Sequence, residues 1–320
     1  MLIVGTGGIG SGMFLALHGD HTLGREESRA ATLLDRHDAA KLHIVLHYVR
    51  TLLGTGADVV PVGMVGDDPP GRDAVRRMAD AGLDVSAVGV SARPTLFSVC
   101  FQYPDGTGGN ITTANSASDD VSPELVRAAW ARRVHSGQKG IAVALPEVPL
   151  AARAELLRLA TGAGFRRVAT FVSAEIGAAV PLLGMVDLLA VNLDEAAALA
   201  PVTRHRDAAA TATAAVGRAT AANPGLHLVV TAGRYGSWAW DGHDLTHTPA
   251  PAVTAVNTAG AGDAHLAGLV VATARGLPLA AANRYAALVS GRSVTSPHTI
   301  DTGLTADLIR ADARTAGWDL

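Results

Sequence analysis

From about residue 120 onward, the chain alternates short apolar runs with stretches of helical pattern, and this alternation restricts the possible folds more than any other feature. The runs are rich in Val, Ile, Leu and Ala, and they occupy residues 141–145, 168–172, 186–191 and 226–231. Short buried strands that alternate with helices are typical of a parallel sheet with helices on both faces. The sequence therefore predicts an α/β fold.

The remaining segments predict further elements around this sheet. Strands are expected at 1–4, 58–63 and 85–90, and helices at 41–53, 71–81, 262–275, 279–295 and 304–316. Residues 11–38 carry many charged side chains between short apolar pieces, which indicates an excursion from the sheet. Residues 95–103 and 109–113 flank Pro104-Asp105-Gly106, a strong turn signal, and we expect them to form a hairpin. A second hairpin is expected within 238–248.

The composition excludes several classes of protein. With 320 residues, 48% of them hydrophobic and 17% charged, the chain can form a substantial core and is not expected to be disordered. Its net charge of −3 argues against a nucleic-acid partner. The single cysteine, Cys100, excludes an intrachain disulfide and is expected to be buried. Without a signal peptide or a membrane-spanning run, we expect no membrane association and a cytoplasmic location.

Residues 256–265 combine a turn of small residues, an aspartate and the start of a helical pattern. Gly260, Ala261 and Gly262 would let an anion approach the backbone closely. The first amides of the following helix would lack partners within the helix and would favour a bound anion. Asp263 could take a proton from a substrate hydroxyl there. Phosphoryl transfer needs such donors and such a base, although an ordinary glycine-rich helix start has the same pattern.

The N-terminal segment Gly5-Thr6-Gly7-Gly8-Ile9-Gly10 matches the G-x-G-x-x-G fingerprint of dinucleotide-binding proteins. That fingerprint requires a helix directly after the third glycine and a second strand that ends in an acidic residue. Residues 11–18 allow at most two helical turns, and no strand pattern precedes Glu26 or Glu27. We therefore favour a glycine-rich strand exit beside a substrate pocket, with a dinucleotide oxidoreductase as an alternative.

Two further motifs lie at the ends of predicted strands. Asn192 and Glu195 follow the strand at 186–191, where they could position a hydrated Mg²⁺. The same spacing also predicts an Asn helix cap with a capping-box Glu, and both interpretations can hold together. The glycine-rich segment 231–236 is either a nucleotide-binding turn or an ordinary connection between strands.

Together these motifs resemble those of the ribokinase-like sugar kinases, the phosphofructokinase-B family. Residues 257–263 resemble the family signature D-T-x-G-A-G-D, with Asn257 in place of the first aspartate. Residues 192–195 resemble its Asn-x-x-Glu motif, and residues 231–236 resemble its T-x-G-x-x-G turn. Residues 61–71 resemble its N-terminal G-x-V-G-x-D-x-x-G pattern. The motifs occur in the family's order along nearly the whole chain.

The resemblance implies an ATP-dependent kinase that transfers the γ-phosphoryl group to a hydroxyl of a small sugar or sugar-like molecule. It makes Asp263 the base and the backbone of 260–263 the anion hole, with Mg²⁺ held through water near Asn192 and Glu195. Nucleotide contacts are implied for Asn192, Glu195, Thr231, Gly233, Arg234 and Gly236. Acceptor contacts are expected for Gly10, Lys41, Asn115 and Glu147, of which Lys41 is proposed from its charge rather than from the resemblance. Dependence on a monovalent cation is left open.

The resemblance also implies the architecture. We expect a single domain over residues 1–320, built as a three-layer α/β/α sandwich with a mostly parallel central sheet. A small β-rich lid would be inserted at about 11–40 and 93–115. Because lid strands often pair between subunits in this family, a homodimer through the lid is expected as well.

The acceptor side departs from the family pattern. Gly10 falls where family members usually have an aspartate, and Ala39-Ala40 replaces a Gly-Gly pair. Lys41 could contact an acidic or phosphorylated acceptor. His43 and His47, four residues apart on one helix face, could bind a metal, but no third ligand is evident. The acceptor pocket is therefore expected to differ from that of a typical ribose or fructose kinase.

Two further functions stay open. The same scaffold serves nucleoside kinases, but an aromatic content of 4%, with no aromatic residue obviously placed in the lid, favours a polyol over a nucleoside. A catalytically silent sensor that binds a nucleotide or a sugar could also have kept the scaffold. The intact Asp263 argues against a sensor, because a protein that only binds ligands needs no base at the phosphate site.

Overall fold

The computed structural model describes residues 1–200 and 207–319, which contain the following strands and helices. The strands are β1 Leu2–Thr6, β2 Gly10–Leu17, β3 Ala31–Ala39, β4 Asp58–Gly66, β5 Val88–Ser91, β6 Leu96–Gln102, β7 Gly108–Thr112, β8 Gly140–Ala144, β9 Arg166–Ala169, β10 Leu188–Asn192, β11 His227–Thr231, β12 Ser237–Trp240 and β13 Leu245–Thr248. The α-helices are α1 Lys41–Leu53, α2 Pro69–Asp80, α3 Pro123–Arg133, α4 Leu150–Ala163, α5 Ile176–Ala179, α6 Leu193–Leu199, α7 Ala208–Ala222, α8 Ala261–Ala274, α9 Leu279–Ser293 and α10 Ala306–Thr315.

A nine-stranded sheet forms the centre of the molecule, in the order β13-β12-β11-β10-β9-β8-β1-β4-β5. The strands from β11 to β5 in this order run parallel, and β12 and β13 are antiparallel additions at one edge. The predicted mostly parallel sheet is therefore confirmed, and so is the hairpin within 238–248. The bounds differ by a few residues, since β9 ends at Ala169 rather than at residue 172.

Helices cover both faces of this sheet. Ile3 lies in an apolar cluster with residues of α1, α8 and α9, whereas its neighbours Leu2 and Val4 lie in a cluster with residues of α3 and α4. Successive strand residues point to opposite faces, so a strand that is apolar throughout has to be covered on both sides. This confirms the predicted three layers. Among the described helices, none is long and apolar enough to cross a membrane.

A second sheet of four strands, in the order β3-β2-β6-β7, lies outside the three layers. Its strands fall within the two segments predicted to leave the main sheet. β2 runs parallel to β6, and β6 forms the predicted hairpin with β7. Gly10 begins β2, and a Cβ there would lie 2.3 Å from the carbonyl oxygen of Leu96. Glycine at this position therefore allows the close pairing of β2 with β6.

The glycine-rich segment 5–10 does not form a dinucleotide-binding turn, because β2 follows where such a turn requires a helix. Its glycines instead allow close packing at the end of β1. A Cβ on Gly7 would lie 2.7 Å from the Cβ of Leu145, and a Cβ on Gly8 would lie 2.5 Å from the Cβ of Glu147. The preferred interpretation, a strand exit beside a pocket, agrees with this packing.

The contact between α8 and α9 depends on one glycine. A Cβ on Gly268 would lie 2.6 Å from the Cα of Ala286, so Gly268→Ala should force the helices apart and lower the free energy of unfolding by about 1–3 kcal/mol. Gly217 of α7 is the matched control, because a Cβ there meets no atom within 4 Å. Gly217→Ala should raise the free energy of unfolding by about 0.5–1 kcal/mol. Urea unfolding of both variants checks the prediction, and a stable Gly268→Ala would contradict it.

Candidate active site

Three charged side chains meet at the carboxyl edge of the large sheet. Lys41 is the first residue of α1, Asp263 lies in the first turn of α8, and Glu147 follows β8. The Lys41 Nζ lies 3.6 Å from the Asp263 Oδ1. The backbone amide of Lys41 donates a hydrogen bond of 3.2 Å to the Glu147 Oε2. Glu147 has a φ of +72°, a conformation that few non-glycine residues adopt.

The charges of this group depend on one another. The carboxylate of Asp263 raises the pKa of Lys41, with further contributions from Glu147 and Glu195, so the ammonium group stays charged. Burial raises the pKa of Asp263, and Lys41 opposes that effect. Burial also raises the pKa of Glu147 to about 7, again against the effect of Lys41. Lys41 is therefore the counter-ion that favours the charged form of the Asp263 carboxyl group.

The turn before α8 presents free backbone donors. Gly260 has a φ of +74°, and a Cβ on it would lie 2.6 Å from the Thr299 Cγ2, so conformation and space both favour glycine. The amide of Ala261 donates to the carbonyl of Thr258 at 3.3 Å. The amides of Gly262 and Asp263 have no acceptor among the described residues. Free amides at a helix N-terminus can bind an anion.

Asn257 lies where the signature D-T-x-G-A-G-D has its first aspartate, and it stabilises the turn before α8. Its side chain is buried, its Oδ1 accepts a hydrogen bond from the amide of Ala259 at 2.8 Å, and its Nδ2 donates to the carbonyl of Pro297 at 3.0 Å. A carboxylate could accept the first bond but could not donate the second. Asn257 therefore connects the turn to the segment that follows α9.

Asn192 and Glu195 form the predicted capping box at the start of α6. The Asn192 Oδ1 accepts from the Glu195 amide at 2.9 Å, and the Glu195 Oε2 accepts from the Asn192 amide at 2.8 Å. Burial raises the pKa of Glu195 to about 6. Both residues also line a cavity of about 80 Å³, together with Lys41 and Asp263. The cap is thus confirmed, and a role in Mg²⁺ binding stays a prediction.

A larger cavity of about 550 Å³ adjoins the small one. All four residues predicted for the nucleotide turn line it, namely Thr231, Gly233, Arg234 and Gly236. Another wall is formed by Ala287, Ser290 and Gly291 of α9 and by Val294, which directly follows this helix. The Arg234 guanidinium stacks on the Tyr235 ring, 5.0 Å from the ring centroid. The walls are largely apolar, as expected of a site for a flat organic group.

A third cavity, of about 290 Å³, lies between the small sheet and the carboxyl edge of the large sheet. Lys41, Glu147 and Asp263 line one side of it. The small sheet lines the other side through Phe14, Asp38, Ser98, Cys100, Phe101, Gln102, Gly108, Gly109 and Asn110. Of the predicted acceptor residues, Lys41 and Glu147 lie in this wall. Gly10 and Asn115 lie outside it, and Asn115 is exposed.

Several residues of this third cavity escaped the sequence analysis. Asp38 is buried at the end of β3, where its Oδ1 accepts from the Thr299 Oγ1 at 2.5 Å and its Oδ2 accepts from the Cys100 Sγ at 3.2 Å. The only sequence signal was an acidic residue three positions before α1. Cys100 is only partly buried, in contrast to the expectation, and burial raises the pKa of its thiol.

The aromatic rings of the small sheet overturn one argument about the acceptor. Phe14 of β2 and Phe101 of β6 both line the third cavity. The expectation of no aromatic residue in this region is therefore wrong, and the low aromatic content does not favour a polyol. The low aromatic content was misleading because the composition of a whole chain does not show where its few aromatic rings lie.

His43 and His47 lie in α1 with their ring centroids 6.1 Å apart. Burial lowers the pKa of His43 to about 3 and that of His47 to about 4, and Arg77 contributes in both cases. In residues 1–200 and 207–319, no three His, Cys, Asp or Glu side chains are grouped so that they could hold a metal ion. The pair therefore fits packed neutral rings better than a metal site.

The raised pKa of Glu147 predicts a pH dependence of stability. Between about pH 4.5 and about pH 7 the unfolded chain releases this proton while the folded chain keeps it, so stability falls as the pH rises. Glu147→Gln removes this loss of stability. The free energy of unfolding of the variant minus that of the wild type should therefore rise by on the order of 2 kcal/mol from about pH 5 to about pH 8. Urea unfolding at both pH values tests this.

Glu26→Gln, at an exposed glutamate between β2 and β3, is the control and should show no such gain. If the difference in free energy of unfolding between Glu147→Gln and the wild type stayed constant from about pH 5 to about pH 8, Glu147 would ionise in the folded protein as it does in the unfolded chain, and the prediction would be wrong.

Comparison with known proteins agrees with this geometry. The model of the pfkB family carbohydrate kinases matches residues 49–306. A ribokinase from Cryptococcus neoformans var. grubii, solved with ADP, superposes with a TM-score of 0.79 at 17% identity, covering 97% of this chain and 99% of the other. A Burkholderia thailandensis nucleoside kinase, solved with inosine, gives 0.77 at 17% identity, covering 99% and 100%. The adenosine kinase of Sinorhizobium meliloti gives 0.76 at 17%, covering 98% of each chain. The chain therefore belongs to the PfkB family of carbohydrate kinases, whose members are phosphotransferases, and it has their ribokinase-like fold.

Proposed function

We propose that the protein is an ATP-dependent kinase that phosphorylates a hydroxyl group of a sugar or sugar-like molecule. The position of Asp263 supports this most strongly, because this residue lines both the 290 Å³ and the 80 Å³ cavities. Gly262 in turn lines both the 80 Å³ and the 550 Å³ cavities. A nucleotide in the largest cavity could thus extend its phosphates toward Asp263, with the acceptor on the other side.

In this proposal, Asp263 orients the acceptor hydroxyl and takes its proton as the hydroxyl oxygen attacks the γ-phosphorus. The bond from that phosphorus to the bridging oxygen breaks, and ADP leaves. The amides of Gly262 and Asp263 stabilise the negative charge on the transferred group. Lys41 keeps Asp263 ionised before the reaction. The small sheet acts as a lid that excludes water from the 290 Å³ cavity.

The residues present fit a hydrated Mg²⁺ rather than one enclosed by protein ligands. The capping box uses the Oε2 of Glu195, while the Oε1 has no hydrogen-bond partner among the described residues. Mg²⁺ usually keeps several waters and takes one or two carboxylates. Asn192 and Glu195 would hold it through water, and the bound ion would neutralise charge on the phosphates.

The lid is also where we propose contact with a second copy of the chain. Strands β3 and β7 form the two edges of the small sheet. Leu33 and Leu34 on β3 are more than a third exposed, and Ile111 on β7 is 65% exposed. Exposed strand edges with apolar side chains favour pairing between copies, which supports a homodimer.

A nucleoside kinase is the second candidate, and the rings of Phe14 and Phe101 favour it. An aromatic face in the acceptor cavity could stack on a nucleobase. The carboxylate of Asp38 and the amide of Asn110 in the same wall could bind the hydroxyls of a free sugar or of a ribose equally well. Both candidates use the same base and the same donor cavity, so they differ only in the acceptor.

Asp263→Asn tests the proposed base. The release of ADP is measured in the presence of ATP, Mg²⁺ and one acceptor at a time from a panel of sugars, sugar acids, sugar phosphates and nucleosides. We expect acceptor-dependent release by the wild type and a loss of about three orders of magnitude or more in kcat for Asp263→Asn, with ATP binding retained.

Asp80→Asn, at an exposed carboxyl group that ends α2, is the matched control and should keep wild-type turnover. Near-native turnover of Asp263→Asn would refute the base. ATP binding without ADP release for any acceptor would favour the silent sensor.

Asp38→Asn tests the acceptor cavity. Because Asp38 lines only the 290 Å³ cavity among the three, its neutralisation should raise the KM of the acceptor about tenfold and leave the KM of ATP within about twofold. Steady-state kinetics with each substrate varied in turn measure both values, and Asp20→Asn on the exposed loop after β2 is the control. A rise confined to the KM of ATP would show that the cavities are assigned the wrong way round.

A further inference from the structure

His265 is a buried polar residue without a partner. It lies in α8 two residues after Asp263, and only 4% of it is exposed. Neither ring nitrogen forms a hydrogen bond with any residue that the structure describes. Leaving buried hydrogen-bonding groups unpaired costs free energy, and an apolar side chain at this position would avoid that cost. The described residues supply no hydrogen-bond partner for the ring, so we look for that partner in a bound molecule.

The position of His265 indicates where that partner would lie. His265 lines both the 80 Å³ cavity next to Asp263 and the 550 Å³ cavity next to α9. The two cavities share only two other lining residues, Thr231 and Gly262. His265 follows Ala261 by four residues and Gly262 by three, so it shares their face of the helix. The ring thus lies at the junction of the two cavities.

The surroundings of the ring determine what it can bind. Burial lowers the pKa of His265 to about 4, and a polar interaction with the Asn283 side chain opposes this effect without meeting the geometry of a hydrogen bond, so the ring is neutral at neutral pH. A neutral imidazole has one N–H donor and one acceptor nitrogen. The Asn283 Oδ1 already accepts from the Ser237 Oγ at 3.0 Å, and its Nδ2 donates to the Thr248 Oγ1 at 3.0 Å. Both polar atoms of the Asn283 amide therefore already have partners, and neither ring nitrogen of His265 is within hydrogen-bond geometry of them.

We propose, on the basis of the function proposed above, that His265 binds the phosphate donor by donating its ring N–H to a phosphate oxygen of ADP or ATP at this junction. A nucleotide that occupies the 550 Å³ cavity and reaches Asp263 has to pass its phosphates between Thr231, Gly262 and His265. His265 is absent from the lining of the 290 Å³ cavity, so it does not contact the acceptor. It is a positioning residue for the donor and takes no proton in the reaction.

The test measures ADP binding in the absence of acceptor, by calorimetry, for the wild type and for His265→Phe. Loss of a hydrogen bond to a charged oxygen should weaken ADP binding about tenfold or more. His43→Phe is the matched control, because His43 is also a buried histidine with an unpartnered ring nitrogen and lines none of the three cavities. Its ADP affinity should stay within about twofold of the wild type.

A spectroscopic measurement on the wild type keeps the test valid even if His265→Phe does not fold. Nitrogen resonances of the histidine rings are recorded by NMR with and without ADP, and His265 is assigned by the signal that a His265→Asn or His265→Phe variant lacks. Binding of ADP should shift this resonance, as expected for a new hydrogen bond, whereas the acceptor alone should not.

The proposal requires both results. Weaker ADP binding with an unmoved His265 resonance overturns it, because the ring then acts through packing alone. An unmoved resonance with unchanged affinity assigns the ring to the core or to a bound water, and the proposed kinase function would still stand. If the wild type binds no nucleotide at all, the proposed function fails together with this inference.

Discussion

The ion pair between Lys41 and Asp263 organises the functional half of the molecule. Each residue lies in the first turn of its helix, and α1 packs against α8, so the pair joins two helix N-termini at one edge of the sheet. A buried carboxylate without a counter-ion would be protonated or would destabilise the fold. Because β3 runs directly into α1, the same pair also positions the small sheet above the edge. The 290 Å³ cavity therefore depends on a contact made outside the small sheet.

The elements of the large sheet could be predicted because their signals are local. Most of the parallel strands contain a short apolar run, and the longer helices show a pattern over neighbouring residues. The strand β9 is an exception, because it begins with Arg166 and Arg167, and its predicted bounds were shifted. In the small sheet, the β6–β7 hairpin has a local turn signal, but the pairing of β2 with β6 has none, because the paired residues are 86 positions apart in the sequence. The fingerprint at 5–10 could be interpreted correctly for a related reason: its meaning depends on the element that follows it, and no long helix pattern follows here.

The same distinction applies to the site. Asp263, the capping pair Asn192 and Glu195, and the turn at 231–236 each lie within a few residues of a recognisable motif, so the sequence could place them at one edge of the sheet. Asp38, Phe14 and Phe101 reach the acceptor cavity only through the pairing of distant strands. His265 shows an intermediate case. Its place in an apolar helix was visible in the sequence, but whether a partner satisfies its ring depends on every element around it.

The wall around Asp38 is made of segments that are far apart in the chain. Asp38 and Thr299 are separated by 261 positions, and the hydroxyl of Tyr48 donates to the carbonyl of Thr299 from 251 positions away. During synthesis, β3 and α1 leave the ribosome long before this segment exists. Domains generally fold as units. The wall around Asp38, and with it the 290 Å³ cavity, is therefore completed only after residue 299 has been added.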